Sequence, residues 1–168
     1  MNTSLKEPWH LALLALLVVA CVNGLTTTGI TTFDESILRE LGGTRADLKV
    51  RDTINFWGAA LLLPLAGWLM DRGGARTTSL IGLLLLAGAV FLYGRATSLF
   101  QLYLLHGIFA MAIGLTGSLA MIVLVTRLFT KNRGLAVGLA LAGTSVGGMV
   151  MGQIMPRVLE TLDWRTAF

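Results

Sequence analysis

The sequence predicts an all-α, polytopic membrane protein with five complete transmembrane helices and the start of a sixth. Three observations carry that prediction. The 168 residues are 55% hydrophobic and only 13% charged, against about 25% charged in soluble domains. Mean hydropathy is +0.76. Apolar runs close to the 20 or so residues that cross a bilayer recur at roughly 9–33, 50–70, 77–94, 99–126 and 134–159. The formal net charge of +4 fits basic loops at a lipid surface. No basic patch interleaved with aromatics occurs, so nucleic acid is not an expected partner. Cys21 is the single cysteine, which excludes an intrachain disulfide and a thiolate metal cluster. His10 and His106 lie too far apart in sequence for metal-ligand spacing. No metal and no cofactor are expected.

The elements follow in order. LLALLVVAC at the N-terminus looks like a lipoprotein signal ending at Cys21. Its flank has only Lys6, offset by Glu7, and the apolar stretch runs on to Phe33, so a retained first helix is expected. Pro8 suits a first helical turn, where its missing N–H would be an orphan anyway. Gly42-Gly43 ends the extension ESILREL, and Thr44-Arg45-Ala46-Asp47 has capping-box spacing for the second span. Gly73 and Gly74 permit a tight turn into the third span. Ser98 is placed to cap the fourth span and Asn132 the fifth. Asp163 would cap a sixth helix beginning near 164.

Lys and Arg in short loops set orientation, but here they divide almost evenly and do not decide it. One side holds Lys6, Arg72, Arg76, Arg127, Lys131 and Arg133; the other holds Arg39, Arg45, Lys49, Arg51, Arg95, Arg157 and Arg165. Asp71 is the informative charge. It stands at the C-terminal end of the second span, against the negative end of its own helix dipole. A carboxylate there wants a partner, either another helix's N-terminus or Arg72 or Arg76. Gly67 on the same face would let a neighbouring helix approach closely.

Gly67-x-Leu69-x-Asp71-Arg72-x-Gly74-x-Arg76 resembles the signature loop of major facilitator superfamily transporters, with Ala75 where a second base is common. The run from Arg127 to Gly138, then AGTSVGG, Pro156 and DWRTAF, resembles monocarboxylate-porter-like and oxalate/formate-antiporter-like members. So does TTFDESILRELGGTRADL. The resemblance implies the N-terminal bundle of a secondary transporter over residues 1–168, with a C-terminal bundle missing. It implies a cytoplasmic N-terminus, a plasma membrane of bacterial type, and alternating access for a small organic solute such as a mono- or dicarboxylate. A proton, an ion or exchange would drive it. The loop residues Gly67, Leu69, Asp71, Arg72, Gly74 and Arg76 would form a gate.

Polar groups inside spans mark the candidate path. Asn23, Thr27 and Thr31 recur at four-residue spacing and share a face. Threonines also bond their own i−4 carbonyls, so Asn23 is the stronger of the three. His106 is a titratable group well inside a span, suited to a proton relay, to an anion, or equally to an interhelical bond. Many relatives have Arg in that region, and TTTGITT stands where some proton-coupled relatives carry Lys, which argues against a monocarboxylate–proton mechanism. Ser145 and Gln153 complete the candidates. Gly134, Gly138, Gly143, Gly147, Gly148 and Gly152 put small residues on several sides of the fifth span, for close packing or rocking. Two other readings stay open. Gly143-Thr-Ser145-Val-Gly147 matches a G-x-S-x-G hydrolase pattern, with His106 as the available base and no orienting acid. A five-helix membrane scaffold protein is the other.

Overall fold

The computed structural model describes residues 8–168, which are helical with no strand among them. Lys6 and Glu7, used above for orientation and the signal reading, lie outside the described residues. Five helices are long and apolar enough to cross a membrane: Trp9–Gly29, Arg45–Gly73, Ala75–Tyr93, Leu99–Leu128 and Arg133–Thr161. The first comprises α1 (Trp9–Asn23) and a π-helical turn (Gly24–Gly29). A short helix α2 (Asp34–Leu41) leads to α3 (Arg45–Gly73) and α4 (Ala75–Tyr93). The fourth span is two helices, α5 (Leu99–Thr116) and α6 (Ser118–Leu128), and is followed by α7 (Arg133–Thr161) and α8 (Trp164–Ala167).

The caps explain most boundaries. Thr44 and Asp47 form the expected box: the Asp47 carboxylate accepts from the Thr44 N–H at 2.7 Å, and the Thr44 hydroxyl accepts from the Asp47 N–H. Ser98 Oγ accepts from the Gln101 N–H at the start of α5. Asn132 and Asp163 stand at the N-cap positions of α7 and α8 but make no side-chain cap bond there. Gly42, Gly43 and Gly74 have positive φ. The turn into α4 therefore needs one glycine in the left-handed region, Gly74, while Gly73 completes α3. Pro64 and Pro156 lie inside α3 and α7 without ending either helix.

In the packing, α1 lies along α7, while α5 packs against both α3 and α4. Glycines make the α1–α7 approach possible. A Cβ on Gly143 would run into the Leu16 carbonyl, and one on Gly147 into the Ala20 carbonyl. Gly148 and Gly152 face Thr28 on the π-helical turn. Among the described residues, nothing lies within 4 Å of a Cβ built at Gly134, Gly138 or Gly67, so none of them shows the expected close approach. All three lie on faces that α3 and α7 turn outward.

Two apolar cores result. One gathers Val22, Phe33, Ile37, Tyr93, Leu102, Phe109 and Trp164 at the end of the bundle that carries Arg51. The other gathers Ala12, Val19, Met70, Met121, Val125, Phe129 and Ala140 at the end that carries Asp71. A polar layer centred on the Asn23–Ser118 hydrogen bond begins where the two adjoin and continues beside the first.

Candidate functional site

Asp71 sits in the last turn of α3, and its partner is Arg127 in the last turn of α6, at 2.5 Å. This differs from the expected partners. A base at the end of α6 complements that helix's own dipole and neutralises the acid at the end of α3. Arg72 instead stacks on Trp68, 4.4 Å from the ring centroid. Both members of the ion pair are more than half exposed, so the pair contributes under about 1 kcal/mol to the fold. It joins the ends of two helices.

The polar layer is built from two helix irregularities. In the first span, the π-helical turn widens the backbone over GLTTTG, and Ile30 N–H reaches back to the Leu25 carbonyl. Threonine hydroxyls satisfy carbonyls along it: Thr26 donates to Val22 at 2.7 Å, Thr27 to Asn23 at 2.5 Å, and Thr31 to Thr27 at 2.8 Å. In the fourth span, Gly117 is extended (φ −72°, ψ −164°) and separates α5 from α6. A Gly-Ser pair is a common cause of such a break. A side chain at 117 would press on the Ile113 carbonyl, so glycine is required there. Asn23 joins the two irregularities. Its amide donates to its own Val19 carbonyl at 3.0 Å and to Ser118 Oγ at 3.3 Å.

The predicted path residues are thus distributed. Thr27 and Thr31 are exposed and Asn23 is half-buried, so these three face the open side of the bundle. His106 does not. It is 1% exposed, its ring packs edge-on against Tyr93 and Phe109, and Nδ1 bonds the Leu102 carbonyl at 2.9 Å. Ser145 and Gln153 are exposed on α7.

The Arg51 end holds what sequence reasoning missed. Arg51 was read as a loop base, yet it is fully buried. Its guanidinium meets Asp34 at 2.8 Å, Asp52 at 2.9 Å and the Tyr93 hydroxyl at 3.2 Å. Burial pushes the Asp34 carboxyl above its ordinary value, outweighing the bonds from Arg51. Nearby, the Glu40 carboxylate accepts from Trp164 Nε1 and from Arg165 Nε, each at 2.6 Å. Those two bonds, Arg165's first, hold the Glu40 carboxyl below its ordinary value. Arg165 also donates to the Gly94 carbonyl at 3.1 Å. The Arg51-Asp52 pair and the Trp164-Arg165 pair were the available signals. Among the described residues no cluster of His, Cys, Asp and Glu could hold a metal ion.

Residues 15–168 match the Major Facilitator Superfamily. The chain is 33% identical over 122 residues to the uncharacterized transporter ESBP6 of Saccharomyces cerevisiae, covering 71% of this chain and 18% of that one. It is 31% identical over 153 residues to monocarboxylate transporter 11 of Mus musculus, with 78% and 32% covered. It is 25% identical over 154 residues to the agnestins efflux protein AgnL12 of Paecilomyces divaricatus, with 89% and 35% covered. The chain therefore spans between 18% and 35% of the length of these relatives. With the five membrane-crossing helices, the extent of that match makes it an integral membrane protein belonging to the Major Facilitator Superfamily of transporters.

Proposed function

We propose that this chain is the N-terminal bundle of a secondary active transporter that moves a small organic solute, a mono- or dicarboxylate, by alternating access. The observation that carries the reading is the polar layer. Asn23 and Ser118 join two helix irregularities at mid-bundle, with Thr27 and Thr31 on the same open side. Irregular backbone at membrane depth is tolerated where it is buried in protein or lines a cavity, and transporters bind solutes at such interruptions. Relatives named as monocarboxylate transporters 11 and 12 support the carboxylate class. The Asp71–Arg127 tie, with Gly67, Leu69, Arg72, Gly74 and Arg76 around the turn, serves as the gate at one end. A proton, another ion or solute exchange supplies the driving force. One unit charge is worth about 2.3 kcal/mol per 100 mV.

In this reading the open side faces a second, C-terminal bundle, and α7 presents Ser145, Gln153, Gly134 and Gly138 to it. A sixth helix continuing α8 would lie in the apolar groove lined by Leu14, Val18, Leu80, Leu83 and Leu124. His106, enclosed by aromatic rings, is assigned to packing between α4 and α5. The N-terminus is cytoplasmic and the membrane is a plasma membrane of bacterial type. The test is reconstitution of the full reading frame in liposomes. Uptake of labelled mono- and dicarboxylates is measured under imposed pH and ion gradients. Saturable, gradient-dependent uptake is expected. Uptake of no member of the panel, or equal uptake by residues 1–168 alone, overturns the proposal.

A further inference from the structure

The polar face of the first span has an unusual hydrogen-bond inventory. Both amide hydrogens of Asn23 are committed, one to the Val19 carbonyl and one to Ser118 Oγ. The hydroxyl hydrogens of Thr27 and Thr31 are committed to the carbonyls of Asn23 and Thr27. What these three side chains still offer is Asn23 Oδ1 and the lone pairs of two hydroxyl oxygens. Every one of these is an acceptor. Of the two carbonyls that hold the hydroxyls, that of Thr27 lies in the π-helical turn and that of Asn23 at its N-cap, so the backbone around the irregularity fixes this polarity.

We infer that the Asn23–Thr27–Thr31 face recognises a hydrogen-bond donor on the transported solute, an O–H or an N–H, and does not bind its carboxylate. The inference rests on the transporter reading above and names the chemistry of that site. A bare carboxylate is acceptor-only and would face acceptors, leaving polar groups of both partners unpaired. A hydroxyl or an ammonium group placed against the face completes it. For a hydroxy acid the charged end then lies elsewhere, away from this stripe. A site built to bond a donor discriminates strongly against an analogue lacking it, more strongly than an apolar pocket discriminates by size.

The test uses the full-length transporter in liposomes and matched competitor pairs. 2-Hydroxypropionate is set against 2-methoxypropionate, and a primary-amine solute against its trimethylammonium analogue, as inhibitors of the best-transported compound. The two arms separate a hydroxyl from an ammonium as the recognised donor. In the wild type the donor-bearing member of at least one pair should inhibit about tenfold more strongly, the size of one or two net hydrogen bonds. Thr27→Val with Thr31→Val should bring that ratio near one. Thr27→Ser with Thr31→Ser should restore it. Equal inhibition within both pairs overturns the inference, as does discrimination that survives in the valine variant. If the valine variant is inactive, the wild-type ratios and the serine variant still decide. Loss of all uptake by the wild type would count against the transporter reading instead.

Discussion

Arg51 and Asp71 show how differently two charges at helix ends behave. Arg51 has no exposed side-chain surface and lies between two carboxylates that are each 23% exposed. Removing one member of a buried pair leaves uncompensated charge. Arg51→Ala should therefore lower stability by about 3–5 kcal/mol, read as a large drop in the midpoint of thermal unfolding in detergent. Arg51→Lys should be intermediate, because lysine keeps the charge and loses the fork that reaches both acids. A wild-type midpoint for Arg51→Ala would remove the cluster from any structural account. Asp71 gives the opposite expectation. Its pair with Arg127 is exposed, so Asp71→Asn should leave insertion and unfolding unchanged. In the full-length protein it should nonetheless reduce uptake, by up to about fivefold if the pair's whole contribution of about 1 kcal/mol is made in one state only. Normal uptake at equal expression would end the gate assignment.

At the level of elements, the α1–α7 pair and the docking of α8 carry the expectations. Gly147→Ala forces a Cβ onto the Ala20 carbonyl, and overpacking of this kind costs about 1–3 kcal/mol. Gly134→Ala meets open space and replaces a glycine in the first turn of α7, so its unfolding midpoint should be unchanged or slightly higher. If the two variants unfold alike, the close α1–α7 approach is not present in the membrane-embedded protein. For α8, the relevant group is Glu40. Its carboxyl is held below its ordinary value of 4.5 by Arg165 and Trp164. A depressed value means the contribution is fully present above the unfolded value and is lost as pH falls through the lower, folded one. The docking of Trp164 should then persist down to pH 4.5 and release only below it. Fluorescence of Trp164, in a protein whose Trp9, Trp57 and Trp68 are replaced by Phe, follows this directly. A transition centred above 4.5 would contradict the Glu40 contact.

For the whole molecule the expectation concerns orientation, which bases divided almost evenly between the two ends do not set. Single cysteines at Thr77 and Ala46, in a Cys21→Ala protein, test it. Both positions are exposed and lie on opposite ends of the bundle. Neither is one of the turn glycines, whose positive φ a cysteine would strain. With a cytoplasmic N-terminus, an impermeant maleimide added to intact cells should label position 46 and spare position 77. The reverse pattern would invert the topology and place the Asp71–Arg127 tie on the outside.

Much of this architecture is legible in the sequence because bilayer physics leaves few choices. Apolar length sets the spans, Thr44, Asp47 and Ser98 announce helix starts, and Gly42-Gly43 and Gly74 announce turns. These are local effects, settled within a turn or two of the chain. The tertiary structure alone decided the pairings between distant segments. Asp71 chose Arg127, 56 residues away, and Arg51 turned inward to Asp34 and Tyr93 instead of outward to water. Glu40 reached Arg165 across 125 residues. His106 turned into the aromatic core while Thr27 and Thr31 turned to the open side. A helix has the same periodicity whichever face is buried. Which face meets a neighbour depends on where glycines let backbones approach, and Gly143 and Gly147 do so where Gly134 and Gly138 do not.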